Sequence, residues 1–397
     1  MGRHHQAINM AALVTLLVMA ISSMPIELSA VAVAAAGNVR PMTKVPAARL
    51  YVFGDSTEDV GNNNYLPGDF PRADRPYYGV DFPGGRSTGR WSNGYNIADF
   101  VARCMGFKRS PPAYLSLTPR SSRVVAKGIR GASYASAGAG ILDSTHAGQY
   151  IPLSEQVRLF GETRAQMVAR LGACAANELL STSLFLISIG NNDIAVFAAA
   201  TTQQVRSDDV AALYASLISN YTAAITELYG MGARKFGIVN VGLIGCTPSS
   251  RARTPTGTCA DGANALAAGF NDELRSLLGS LSSRLHGVAY SIGDLLGLMQ
   301  ATIANPRAAG LRNVDSACCG GGRLGAQSAC QPNSTLCADR RRYLFWDAGH
   351  PTQRAAQLIV SAFYDGPAQF TVPVNLKKLL RLRSVGLGSP HVSCALP

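Results

Sequence analysis

The stretch VFGDSTEDVGNNNYL, Val52–Leu66, decides how the rest of the chain is read. Leu50-Tyr51-Val52-Phe53 reads as a short buried strand that breaks at Gly54 into a segment dense in Asp, Asn and Gly with one Ser. A polar loop of turn formers accounts for most such segments. A small hydroxyl just past the carboxyl end of a core strand has a second reading, because in open parallel α/β sheets ligands bind at those ends. Ser56 is then a candidate nucleophile, and it requires a histidine base and a group that orients that base.

Other apolar runs end in polar or Gly-rich turns in the same way: Ser183–Ile189, Lys235–Val241, Val288–Ile292 and Tyr343–Trp346. Helical periodicity lies between them. From Asn264 to Leu285 it places Leu266, Phe270, Leu274, Leu277, Leu278, Leu281 and Leu285 on one face, and from Val210 to Tyr229 it does the same for Leu213, Leu217, Ile218, Tyr221, Ile225 and Leu228. Strands alternating with helices predict a three-layer α/β/α sandwich around a mostly parallel sheet. No repeat, low-complexity linker or charge block marks an internal border. The expected organisation is a leader over 1–36, one domain over 37–384 carrying a long irregular insertion at 66–130, and a loose tail over 385–397.

The leader reading rests on Arg3, His4 and His5 before the apolar run Ala11–Ile21, then Pro25 and a small-residue tract ending at Ala36. That is the pattern of a secretory signal peptide, with cleavage after Ala30 or near Ala36. The apolar run is shorter than the roughly 20 residues that span a bilayer, and no later segment is long and apolar enough, so no stable membrane insertion is expected. The 397 residues carry nine cysteines, compatible with disulfides in an exported chain. Cys318, Cys319, Cys330 and Cys337 cluster, and Cys246 and Cys259 flank one loop, but no C-x2-C spacing with interleaved His suggests zinc. An odd count leaves at least one thiol unpaired. Asn220-Tyr-Thr222 and Asn333-Ser-Thr335 are glycan acceptor triplets in such a chain. The net charge of +12 is spread along the chain, with runs at Arg340-Arg341-Arg342 and from Lys377 to Arg383. Without interleaved aromatics it does not point to nucleic acid; a solvated basic face or an acidic matrix such as a polyuronide fits it.

Among the histidines, His350 stands out. Asp347 precedes it by three residues in Trp346-Asp-Ala-Gly-His350-Pro, directly after an apolar run, so a short turn would let the carboxylate reach Nδ1 and leave Nε2 for a serine. His286 sits at a helix end and His146 in a loop. An acyl-transfer site also needs oxyanion donors. Asn192, in Ser188-Ile-Gly-Asn-Asn-Asp193, follows another strand end, and Gly131–Gly140 offers backbone N–H groups free of side chains. Ser133 nearly makes a G-x-S-x-G elbow, but Ala135 replaces its last glycine and the preceding segment, with Arg123, Lys127 and Arg130, is no strand.

FGDS-x-x-D-x-GNN near the start, IG-x-ND in the middle and FWD-x-x-HPT near the end, in that order, resemble the plant GDSL esterase/lipase family of the SGNH hydrolase superfamily. The resemblance covers nearly all of the chain past the leader. It implies a flavodoxin-like α/β hydrolase with Ser56 as nucleophile, His350 as base and Asp347 as its orienter. The oxyanion donors would be the Ser56 and Gly138 N–H groups and the Asn192 side chain, with Gly140 in reserve for Gly138. Thr57 departs from the eponymous Leu, and Ser133 from a frequent Asn. No metal or other cofactor is implied. The expected substrates are acyl esters of small molecules, lipids or acetylated cell-wall polysaccharides, and the expected place is the plant apoplast or cell wall. Acyl transfer from the same acyl-enzyme, and wall binding without catalysis, are the alternatives.

Overall fold

The computed structural model describes residues 48–68, 71–200 and 206–382, so the expected leader and tail lie outside the described residues. Its centre is a sheet in the order β1 (Leu50–Gly54), β2 (Leu184–Ser188), β3 (Lys235–Val239), β4 (Ala289–Gly293) and β9 (Thr371–Val372). The first four strands are parallel, in a register that pairs Leu50 with Leu184 and Leu184 with Lys235, and β9 closes one edge antiparallel.

Period-2 alternation sorts the core into two layers. Tyr51, Phe53, Phe185, Ile187, Phe236 and Ile238 point to one face, where they meet α3 (Leu153–Leu171), α4 (Ala173–Thr182), α5 (Asn191–Ala200), α6 (Ser207–Gly230) and α8 (Asp261–Arg284). Leu50, Val52, Leu184 and Leu186 point to the other, against α1 (Ile97–Cys104), α9 (Leu295–Ala304), α10 (Gln353–Asp365) and α11 (Leu376–Arg381). The result is the expected three-layer α/β/α arrangement. The periodic faces of α6 and α8 are the ones buried, from Leu217 to Leu228 and from Leu266 to Leu281, while Leu213, Ile218 and Leu285 pack at the margin. Each fully buried Leu, Ile or Phe contributes about 1.5–3 kcal/mol of transfer free energy, so the two layers dominate the stability.

Two expectations need correction. Residues 66–130 are not irregular throughout, because they contain α1 and α2 (Pro119–Ala126). In α1, Asn96 and Asp99 form a capping box, and Ile97, Ala98, Val101 and Ala102 make a stripe one turn apart that packs into the second layer. A two-turn helix bounded by Pro and Gly is too short for its periodicity to stand out. The apolar run Tyr343–Trp346 likewise does not join the main sheet. Its strand β8 (Tyr343–Phe345) pairs in parallel with β5 (Asn313–Ala317), and nearby β6 (Cys319–Gly320) pairs with β7 (Thr335–Leu336). A three-residue run says that a strand is buried, not which partner buries it.

Around these ribbons lies a separate small core of Ala73, Tyr78, Cys318, Cys319, Cys330 and Trp346. Cys318–Cys337 and Cys319–Cys330 staple it, and Cys246–Cys259 closes the loop before α8. Cys104 is the free thiol among the described residues. No helix among them is long and apolar enough to cross a membrane.

Candidate active site

Gly54 ends β1 where no side chain fits. Its φ is 150°, and a Cβ there would lie 2.3 Å from the Ser188 carbonyl oxygen of β2. Both polar groups of Gly54 are taken by one amide, with Gln156 Nε2 donating to its carbonyl and Oε1 accepting from its N–H. The chain therefore turns sharply and leaves Ser56 at the carboxyl end of the sheet. Behind it the polar stretch is buried structure rather than a solvated loop. Asp59 accepts the Gly61, Asn62 and Ala137 N–H groups. Asn62 donates to the Ser133 and Ala135 carbonyls, and Asn63 to that of Ala137. These amides lash residues 131–140 alongside β1, where Val52 and Ser133 bridge in parallel.

Ser133 is itself fully buried beside β1, and the segment before it is helix α2, so no nucleophile elbow forms there.

The described fold brings three of the candidate residues together across 294 residues of sequence. Ser56 Oγ lies 2.8 Å from His350 Nε2, and His350 Nδ1 lies 2.7 and 2.9 Å from the two Asp347 oxygens. A carboxylate only accepts, so the ring proton sits on Nδ1 and Nε2 accepts from the serine hydroxyl. Asp347 also accepts the Gly349 and His350 N–H groups and the Tyr78 hydroxyl at 2.8 Å. The turn is tied back by Trp346 N–H donating to the His350 carbonyl and Thr352 N–H to that of Leu344. Trp91 packs on the imidazole at 4.9 Å between ring centres.

Burial pulls the His350 imidazolium down, but the Asp347 charge and hydrogen bond and the Asp55 charge outweigh it and hold the group above the usual histidine value. Burial pushes Asp347 up, and His350, Gly349 and Tyr78 more than reverse it, so this carboxyl sits below its ordinary range. Asp55 and Glu58 behave oppositely: burial raises both, Glu58 strongly, with the Asp55 charge adding to it. Thr57 Oγ1 is hydrogen-bonded to both carboxyl groups. A hydroxyl has one proton, so both contacts are satisfied when Glu58 is protonated and donates to Thr57, which donates to Asp55. The polar Thr57, standing where the motif usually has Leu, is thus matched to an acid next to it.

Asn192 lines the same cavity as Ser56, and its Nδ2 donates to the Ala139 carbonyl at 2.9 Å. Neighbouring Asn191 donates to Asp55. Gly138 has φ 89°, with Tyr150 where a side chain would be, and its carbonyl accepts from His146 Nδ1 at 2.9 Å. Gly140 is packed against Thr145 and Asp193. Of the glycan triplets, Asn333 is exposed in a turn, whereas Asn220 is exposed on α6 with its amide donating to the Ser216 carbonyl. Tyr78, Trp91 and Asn191 were not apparent from sequence, and His146 stood there only as a loop residue. None has a local pattern linking it to Ser56 or His350; a long-range contact alone reveals them.

The cavity that Ser56 and His350 line has a volume of about 560 Å³. Where α9, β8 and α10 form its wall, it is apolar, with Leu298, Met299, Phe345 and Leu358. Where α7 (Pro248–Arg253) forms it, Ser249, Ser250 and Arg253 make it polar.

Residues 50–363 match the family described as GDSL-like Lipase/Acylhydrolase. Proteins of Arabidopsis thaliana named GDSL esterase/lipase are similar over most of their length. One is 39% identical over 339 residues, which is 83% of this chain and 89% of the relative. A second is 36% identical over 321 residues, 79% and 87% of the two chains, and a third 35% over 350 residues, 87% and 94%.

Proposed function

Because the chain belongs to the GDSL-like lipase/acylhydrolase family, a family of carboxylic ester hydrolases, we propose that it is a secreted serine esterase whose acyl-enzyme forms on Ser56. The observation that carries this reading is the continuous hydrogen-bonded line from Ser56 Oγ through His350 to Asp347.

In this reading His350 Nε2 takes the Ser56 proton as Oγ attacks the ester carbonyl carbon. Asp347 keeps the imidazole in the Nδ1–H tautomer and stabilises the imidazolium that forms. The negative oxygen of the tetrahedral intermediate is received by the Ser56 and Gly138 N–H groups and by the second amide hydrogen of Asn192, the first being spent on Ala139. His350 then protonates the leaving alkoxide, and water repeats the sequence to release the acid. Among the described residues, neither the Ser56 nor the Gly138 N–H has a protein partner, which suits that role.

The apolar wall of α9, β8 and α10 favours an ester with a sizeable apolar acyl chain over an acetyl group, and the hydroxyl-lined wall of α7 favours a polar alcohol portion. Export is supported by the N-terminal pattern and by the disulfides, and the exposed turn makes Asn333 the better glycan acceptor of the two.

The test is acid release from esters running from acetyl to palmitoyl, together with acetylated xylan, by wild type and Ser56→Ala. Activity rising with chain length and lost by a factor on the order of 10⁴–10⁶ in the variant is expected. Release from acetylated xylan alone would overturn the acyl preference, and equal activity of the variant would overturn Ser56 as nucleophile.

A further inference from the structure

A second, polar pocket of about 610 Å³ shares no lining residue with the ester cleft. It lies on the other side of the first turns of α10: Gln353, Arg354 and Gln357 face it, while Ala355 and Leu358 face the cleft. Four arginines line it, Arg340, Arg341, Arg342 and Arg354, against two carboxylates, Asp81 and Asp339. Arg340 is spent on a bidentate pair with Asp81 at 2.6 and 2.7 Å. Asp339 is 3.4 Å from Arg341 and 3.8 Å from Arg342. Among the described residues Arg354 has only neutral partners, Gln357 Oε1 and the Ala309 carbonyl.

The two poorly neutralised guanidinium groups converge. Arg342 Nη1 donates to the Gly310 carbonyl, and a side chain on Gly310 would begin 3.6 Å from Arg354 Nη2 and 3.9 Å from Arg342 Nη1. Arg354 is also the second residue of α10, at the positive end of the helix, where a cation is disfavoured and an anion favoured. Burial and the Arg342 charge both act against the Arg354 cation. Like charges are therefore held together at a helix N-terminus over open space, an arrangement that an anion between them would reverse in sign.

We propose that this pocket binds the carboxylate of a uronate residue in an acidic polysaccharide. A planar carboxylate matches guanidinium forks bidentately. The volume exceeds that of a single inorganic anion, and the two aspartates that would repel a multiply charged oxyanion are acceptors suited to sugar hydroxyls. The net charge of +12 would draw a polyanion from a distance. The inference does not depend on the ester chemistry, since no residue of the Ser56 line takes part.

The test is titration of the full chain with oligogalacturonate by calorimetry at fixed ionic strength, with inorganic phosphate as competitor. The double variant Arg342→Gln/Arg354→Gln is expected to bind at least tenfold more weakly. A charge-matched control, Arg120→Gln/Arg123→Gln on the exposed side of α2, is expected to change less than threefold, with soluble-ester hydrolysis unchanged in both. If the double variant fails to fold, Arg342→Gln alone, at an exposed residue, carries the test with an expected loss of about threefold or more. Equal losses in pocket and control variants would reduce the effect to general charge. Phosphate competing as well as galacturonate would reduce the pocket to a simple anion site, and no binding by wild type would end the proposal.

Discussion

Ser56 and His350 meet at 2.8 Å, yet the regions that hold them are built differently. Ser56 follows β1, whose residues are buried on both faces by two large apolar layers. Asp347 and His350 follow β8, in a two-stranded ribbon beside a small core that two disulfides pin together. Bulk burial positions the proposed nucleophile, whereas covalent staples and a few hydrogen bonds position its base. One side of the site therefore tolerates little volume change and the other little loss of cross-linking.

If the two regions act as one unit, removing either partner costs as much as removing both. Ser56→Ala and His350→Ala each lower kcat by on the order of 10⁴–10⁶, and the double variant loses no more than either single one; additive losses in a steady-state assay would break the unit apart. Next, Cys319→Ser/Cys330→Ser costs about 2–5 kcal/mol and is expected to abolish activity at a lower temperature than the far-UV circular dichroism melt. Phe53→Ala, at about 3–5 kcal/mol, is expected to lower both together. Coincident transitions in the cysteine variant would show that the stapled region does not melt separately.

A smaller effect falls on Thr57→Leu, which restores the motif residue but removes the hydroxyl between the Asp55 and Glu58 carboxyl groups. It is expected to cost about 1–3 kcal/mol in denaturant titration, and an unchanged midpoint would mean that the hydroxyl is not needed there. The smallest concerns pH. In the proposed mechanism neutral His350 is the base, so kcat/KM is expected to fall as pH drops, with its acidic limb above pH 6.5 because the folded value is raised. Stability runs the other way, since the contribution of the imidazolium is full below the unfolded value and is lost as pH rises through the folded one. Tyr78→Phe removes a donor from Asp347, leaving its negative charge less dispersed opposite the imidazolium, and is expected to move the limb to higher pH with a few-fold loss of rate. An unmoved limb would make Tyr78 a packing residue only.

What could be read in advance follows the same division. The sheet strands were legible because Leu50–Phe53 and Leu184–Ile187 are apolar runs ending in turn residues, and α6 and α8 because their stripes run through many turns. The Asp347–His350 pairing was legible because three residues separate its partners. The pairing of β8 with β5 was hidden because a run of three residues carries no register, and α1 because two turns between Gly94 and Gly106 carry too short a stripe. Tyr78 reaches Asp347 over 269 residues, and no local pattern encodes such a meeting.

The same separation has a consequence for biosynthesis. Ser56 emerges early and His350 follows 294 residues later. At about 5–20 residues per second, the ribosome needs roughly 15–60 s to supply the second after the first. Throughout that interval the nascent chain carries Ser56 without its proposed partner His350. In the proposed mechanism the chain therefore cannot attack the esters of the cell that makes it until the segment carrying His350 has been translated.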